Sequence, residues 1–111
     1  MSVDVVRLQE LFGAESVTAW EPPTPAAIGS VAEGTPMVSP TAVDEACEVL
    51  RFAASADLRV LPAGSGEHLH LGAAPGAIDL VLSSRRMRRI LEHEPEDLTL
   101  VAQAGVTLHQ I

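Results

Sequence analysis

PMVSPTAVDEACEVLRFAASADLRVL, residues 36–61, is the stretch whose reading decides the fold. Met37 and Val38, held between Pro36 and Pro40, suit a very short strand. Thr41 stands where a helix wants its N-cap, and Asp44 three positions on favours the positive helix end, so a capping-box-like start is expected there. Val43, Ala46, Cys47, Leu50, Ala53 and Ala54 then recur at the spacing of one helical face. Residues 58–61 are short, apolar and joined directly to that helix, which predicts a second strand. Parallel strands need a long crossover between them, so strand, helix and strand with tight joins favour a parallel βαβ unit.

Downstream, residues 62–76 form a glycine-rich loop, after which Ile78, Leu80 and Leu82 alternate as a third strand. Residues 88–93 and 98–103 read as two strands joined by Glu94-Pro95-Glu96-Asp97, with Pro95 where a type I turn favours proline. Gly105 interrupts the last strand, and Thr107 is placed to cap a helix that residues 108–111 only begin. Upstream, Val5, Leu8, Leu11 and Phe12 give residues 3–13 an amphipathic helical pattern that Gly13 ends. Pro22, Pro23, Pro25, Gly29 and Gly34 punctuate residues 14–35, which read as a loop or linker lying on another surface. The expected class is α/β (α+β): a small βαβ parallel layer, then the start of an antiparallel hairpin region. The expected division is a lead-in over 1–35 and a domain over 36–111.

Composition narrows the function. A chain of 111 residues with 47% hydrophobic and 20% charged residues has the make-up of one small globular domain or a piece of a larger one. Its formal net charge of −8 argues against duplex nucleic acid as the main partner, because phosphate backbones need a positive surface. A single cysteine, Cys47, excludes an internal disulfide and fits a reducing compartment. No run approaches the ~18 apolar residues of a membrane span, and Asp4 and Glu10 interrupt the amino-terminal segment, so neither a span nor a secretory leader is expected. The expected address is cytoplasmic.

The richest chemistry lies at Pro62-Ala63-Gly64-Ser65-Gly66-Glu67, directly after a strand. Glycines there permit positive φ and let successive N–H groups share one concave side, a nest that takes phosphate oxygens without a lysine. A lone Gly-x-Gly is more often a plain turn, and neither a Walker loop nor a Rossmann fingerprint is present. The surrounding order adds to it. The run from Val38-Ser39-Pro40 through the helix resembles the start of the FAD-binding domain of the vanillyl-alcohol oxidase / p-cresol methylhydroxylase (PCMH) type. Leu61-Pro62-Ala63-Gly64-Ser65-Gly66 resembles that family's pyrophosphate loop, usually Pro-Arg-Gly-Gly-Gly-Thr. Ile78-Asp79-Leu80-Val81-Leu82-Ser83, Arg86-Met87, Ile90 and Glu94-Pro95-Glu96-Asp97-Leu98-Thr99 match the strand and hairpin that follow. Val101 to Val106, with Ala104-Gly105, resembles the Val-x-Ala-Gly-Val step, and Leu69-His70-Leu71-Gly72 is most similar to the FAD-binding subunits of glycolate oxidase.

The resemblance implies a partial PCMH-type fold, FAD as cofactor, and other oxidoreductase subunits as partners. It implies that the backbone amides of residues 63–67 hold the FAD pyrophosphate. Ala63 stands where the family often has arginine. Glu67 stands in the place of a small hydroxyl residue, or of the histidine that some relatives link to flavin, and His68 falls one position late. Non-covalent FAD is therefore expected. The parent activity would be FAD-dependent oxidation of a small hydroxy acid or alcohol, with no catalytic residue identifiable here and a chain inactive by itself. The alternative is a non-catalytic, truncated or degenerate domain that serves as a protein-interaction module. His68, His70, His93 and His109 match no metal-site spacing, and Cys47 reads as a packing residue. Arg85, Arg86, Arg88 and Arg89 lie beside Glu92, Glu94, Glu96 and Asp97, where mutual pairing is the expected reading and a phosphate or protein contact the other.

Overall fold

A computed structural model describes residues 3–21, 31–64 and 76–111. The first element is helix α1, Val5–Phe12, capped by the Asp4 carboxylate, which accepts from the Arg7 N–H at 2.8 Å. Gly13 ends it at φ 93°, a conformation costly for any residue with a Cβ, and donates its N–H to Gln9 O at 2.9 Å. Strand β1, Val17–Ala19, follows, then β2, Pro36–Val38. Helix α2 spans Val43–Ser55. Strands β3, Val60–Ala63, and β4, Leu80–Ser83, complete the main sheet. A hairpin of β5, Ile90–Glu94, and β6, Thr99–Ala102, turns through a single 3-10 turn at Pro95–Asp97, and a second such turn occupies Leu108–Gln110.

The main sheet has the order β1-β2-β4-β3. β2, β4 and β3 are parallel, with Met37 opposite Val81, and Val60 to Ala63 in step with Leu80 to Ser83. The parallel βαβ unit is present, but its two strands are not neighbours: β4 inserts between them. β1 adds an antiparallel edge, with Val17 opposite Val38. The reading of 14–35 as loop or linker thus missed a strand. Three residues carry no usable period, and what holds β1 is tertiary: Ser39 N–H donates to Ser16 O, Trp20 N–H to Thr35 O, and the Gln9 side-chain amide to Val17 O.

Successive residues of a strand face opposite ways, so the sheet has two packed faces. On one, Val17, Val38 and Leu80 meet Leu8 of α1 and Val49 and Ala53 of α2. Phe12 and Phe52 close the gap between the helices edge to face, with ring centroids 5.8 Å apart. On the other, Met37 and Val81 pack with Trp20 and Val31. Leu80 and Val81 are both fully buried, as expected of a strand covered on both sides.

Two local expectations for α2 need correction. The N-cap is Ala42, in extended conformation without a side-chain cap, and Thr41 lies one residue outside. Glu45, not Asp44, closes the turn: its carboxylate accepts from the Thr41 N–H at 2.8 Å and the Thr41 hydroxyl at 3.1 Å. That backbone hydrogen bond holds the Glu45 carboxyl below its ordinary value. The seated face is also turned. Val49 and Ala53 are buried, whereas Val43 and Leu50 are 64% and 48% exposed. Periodicity fixes the helix, but the surface that its buried face meets, with Leu8, Val38 and Leu80, comes from distant segments. The second strand of the unit likewise begins at Val60 rather than 58, because Leu58 N–H still bonds to the helix end at Ala53 O.

The hairpin matches the expected arrangement, Glu94 opposite Thr99, with a bulge between Ile90 and Glu92. Pro95 opens the 3-10 turn, and Leu98 reverses the chain in the left-handed conformation at φ 56°.

Candidate functional site

Because β2, β3 and β4 are parallel, their carboxyl ends share one edge of the sheet, where ligands of such sheets commonly bind. Ser39-Pro40 leaves β2 there, Gly64 leaves β3, and Ser84 leaves β4. Between them lies a cleft of about 370 Å³ lined by Pro40, Ala46, Pro62, Ala63, Gly64, Ser83 and Ser84, with Met87 and Ala104 at its side. Of the six residues singled out in the loop, Pro62, Ala63 and Gly64 therefore stand at this cleft, and Ser65, Gly66 and Glu67 lie outside the described residues, as do His68 and His70.

Hydrogen bonds tie the two strand ends together. Ser84 N–H donates to Ala63 O at 2.9 Å. The fully buried Ser83 hydroxyl donates to Gly64 O at 3.2 Å and accepts from the Arg85 N–H at 3.3 Å. Residues 84–87 form a turn closed by Met87 N–H on Ser84 O at 2.8 Å, and Gly105 N–H bonds to Met87 O at 2.9 Å. A Cβ on Gly105 would collide with Ser84 O and lie 2.8 Å from Met87 O. Gly105, read from the sequence only as a strand break, is thus the point where the chain after β6 lies directly on the turn after β4. Its place in the Ala104-Gly105 step was the available signal. The role of Ser83 had none.

The basic run does not behave as one group. Arg86 points inward: its guanidinium donates to Glu15 O, Ser16 Oγ and Ser39 O at 3.1–3.3 Å, joining the turn to the β1–β2 edge. The expected pairing with the hairpin carboxylates is therefore not what holds Arg86. Arg85 and Arg88 are exposed and line a wider cleft of about 870 Å³ with Gly64 and residues 104–110. Within that wall, Thr107 N–H and hydroxyl donate to the Gln110 side-chain oxygen, which holds the last turn against the opening.

A smaller hollow of about 210 Å³ between α1 and α2 carries Glu45 and Glu48 at its rim, and so repels an anion. Cys47 is half-buried on α2. Among the described residues, no group of three or more histidine, cysteine or carboxylate side chains is placed to hold a metal ion, and no helix is long and apolar enough to cross a membrane.

Comparison with known proteins identifies the family and the fold type. A family model described as an FAD binding domain matches residues 35–111, more than half of the chain. The chain is 28% identical over 108 residues to D-lactate dehydrogenase of Archaeoglobus fulgidus, covering 97% of the chain and 24% of that protein. It is 34% identical over 70 residues to a glycolate oxidase subunit of Bacillus subtilis, covering 63% of the chain and 15% of the relative. It is 31% identical over 102 residues to D-2-hydroxyglutarate dehydrogenase of Xanthomonas citri, covering 92% and 20%. The chain thus spans at most 24% of the length of these relatives. The solved structure of p-cresol methylhydroxylase with substrate bound is similar at a TM-score of 0.71 and 20% identity, covering 96% of the chain and 22% of that structure. The fold is of that type, as the resemblance implied.

Proposed function

Because the chain belongs to the FAD binding domain family, we propose that it holds FAD non-covalently by the pyrophosphate, at the carboxyl ends of β3 and β4. The backbone amides of residues 63–67 serve as donors, with Pro62 setting the exit from the strand. Residues 36–111 are the flavin-binding part and 1–35 its lead-in. What carries the reading is the cleft itself. Gly64 leaves the sheet beside the β4 turn, and a Cβ there would meet nothing closer than Ser84 Oγ at 3.9 Å, so the backbone is open to a ligand. A donor set of backbone N–H groups suits an anion and offers nothing to a cation.

FAD, when bound, accepts a hydride from a small 2-hydroxy acid or alcohol. The residues described here bind and orient; none is placed to move a proton. The chain is accordingly inactive alone and works with other oxidoreductase subunits or segments. Affinity should be low. A few charge-assisted hydrogen bonds of roughly 1.5–3 kcal/mol each, reduced by the entropy of association, fall short of the ~8 kcal/mol of a micromolar site. The 111-residue chain should therefore purify colourless. Equilibrium dialysis should show weak, comparable binding of FAD and ADP and none of riboflavin, which lacks the diphosphate. Riboflavin bound as well as FAD, or neither nucleotide bound, would refute the assignment.

A further inference from the structure

We propose that Arg85 and Arg88 form the cationic half of the phosphate site, binding the diphosphate of a nucleotide from the turn after β4. The proposal rests on the flavin reading above and names side chains for it. The segment 62–66 carries no positive charge, and Glu67 adds a negative one. The whole chain stands at −8, so its general field repels a diphosphate. Local positive charge must come from elsewhere. Four of the seven arginines fall within residues 85–89.

The structure sorts these four. Arg86 is committed to Glu15 O, Ser16 Oγ and Ser39 O. Arg89 sits at the base of the hairpin, where its carbonyl accepts from Gln103 N–H and its own N–H donates to the Gln103 side-chain oxygen. Arg85 and Arg88 alone of the four line the cleft that Gly64 also lines. The Arg85 backbone is fixed two hydrogen bonds from Gly64, through the buried Ser83 hydroxyl. Gly105 braces the turn at 84–87 that carries Arg85, and Arg88 follows that turn directly. Two guanidinium groups beside a braced turn suit a diphosphate, since each presents a planar fork of donors to phosphate oxygens. An acidic protein segment is the competing ligand, and the cleft shared with the backbone of Gly64 favours the nucleotide.

Phosphorus NMR titration of inorganic pyrophosphate into the 111-residue chain tests this at two ionic strengths. At low salt, Arg85→Gln with Arg88→Gln together should weaken binding roughly tenfold and flatten its salt dependence. Arg85→Lys with Arg88→Lys should recover part of the loss. Arg51→Gln, which removes one positive charge on the exposed side of α2, should leave affinity unchanged. Both target side chains are exposed, and an unchanged amide spectrum of each variant verifies the fold. A double variant that binds as tightly as the parent, with the same salt dependence, overturns the arginine assignment and leaves the loop reading standing. A parent chain that shows no binding overturns both. Loss of binding in Arg51→Gln as well would mean that net charge, not this site, governs the interaction, and would also overturn the assignment.

Discussion

Gly105→Ala should cost about 3 kcal/mol or more of folding stability, since overpacking against a rigid neighbour typically costs 1–3 and here a backbone hydrogen bond goes with it. The added methyl would collide with Ser84 O and approach the Ser84 carbonyl carbon at 2.9 Å. These are backbone atoms of a turn already closed on itself, so no rotamer change relieves the contact. Either the turn at 84–87 or the segment after β6 must move, and the bond from Gly105 N–H to Met87 O breaks. Natural domains commonly hold about 5–15 kcal/mol in total, so much of the chain's stability is at stake. Urea unfolding of both forms checks it. A midpoint shift worth under about 0.5 kcal/mol would mean that the turn and the last segment do not touch as described.

Leu80→Ala should be comparably damaging, at about 2–5 kcal/mol. Leu80 is fully buried on the central parallel strand and belongs to the cluster that joins α1, α2 and the sheet. Truncating it leaves a cavity within the cluster that Leu8, Val38 and Val49 share, and these come from three separate elements, so little collapse is available. Val101→Ala, at a site 46% exposed on the hairpin, should cost about 1 kcal/mol or less. Thermal or urea unfolding of the pair measures the difference. Equal costs would contradict the placement of the core around β4.

Much of this architecture was legible in the residues. The amphipathic pattern at Val5, Leu8 and Phe12 with Gly13 after it is α1, and the apolar runs read at 37–38, 58–61 and 78–82 locate the three parallel strands, the second of which runs on to Ala63. Pro95 marks the hairpin turn. What escaped depends on contacts between distant segments. β1 exists because residues 16–20 find partners at 35–39. The face that α2 buries depends on Leu8, Val38 and Leu80, and the inward turn of Arg86 on carbonyls more than forty positions away. The site followed the same division. A glycine-rich loop after a strand was visible, and Pro62, Ala63 and Gly64 do stand at the cleft. The hydroxyl of Ser83, which ties that loop to the next strand, has no signature in a sequence, because its partner Gly64 lies nineteen residues back.

The central claim is that a nucleotide diphosphate sits at the carboxyl ends of β3 and β4, on the turn braced by Gly105. Mapping backbone amide shifts while ADP is added tests it most directly. The account predicts shifts at Ala63, Gly64, Ser84, Arg85 and Gly105, rising together with one dissociation constant, and none at the hairpin turn Pro95–Asp97. Shifts centred instead on Leu11, Phe12, Glu45 and Glu48, around the hollow between the helices, would contradict it.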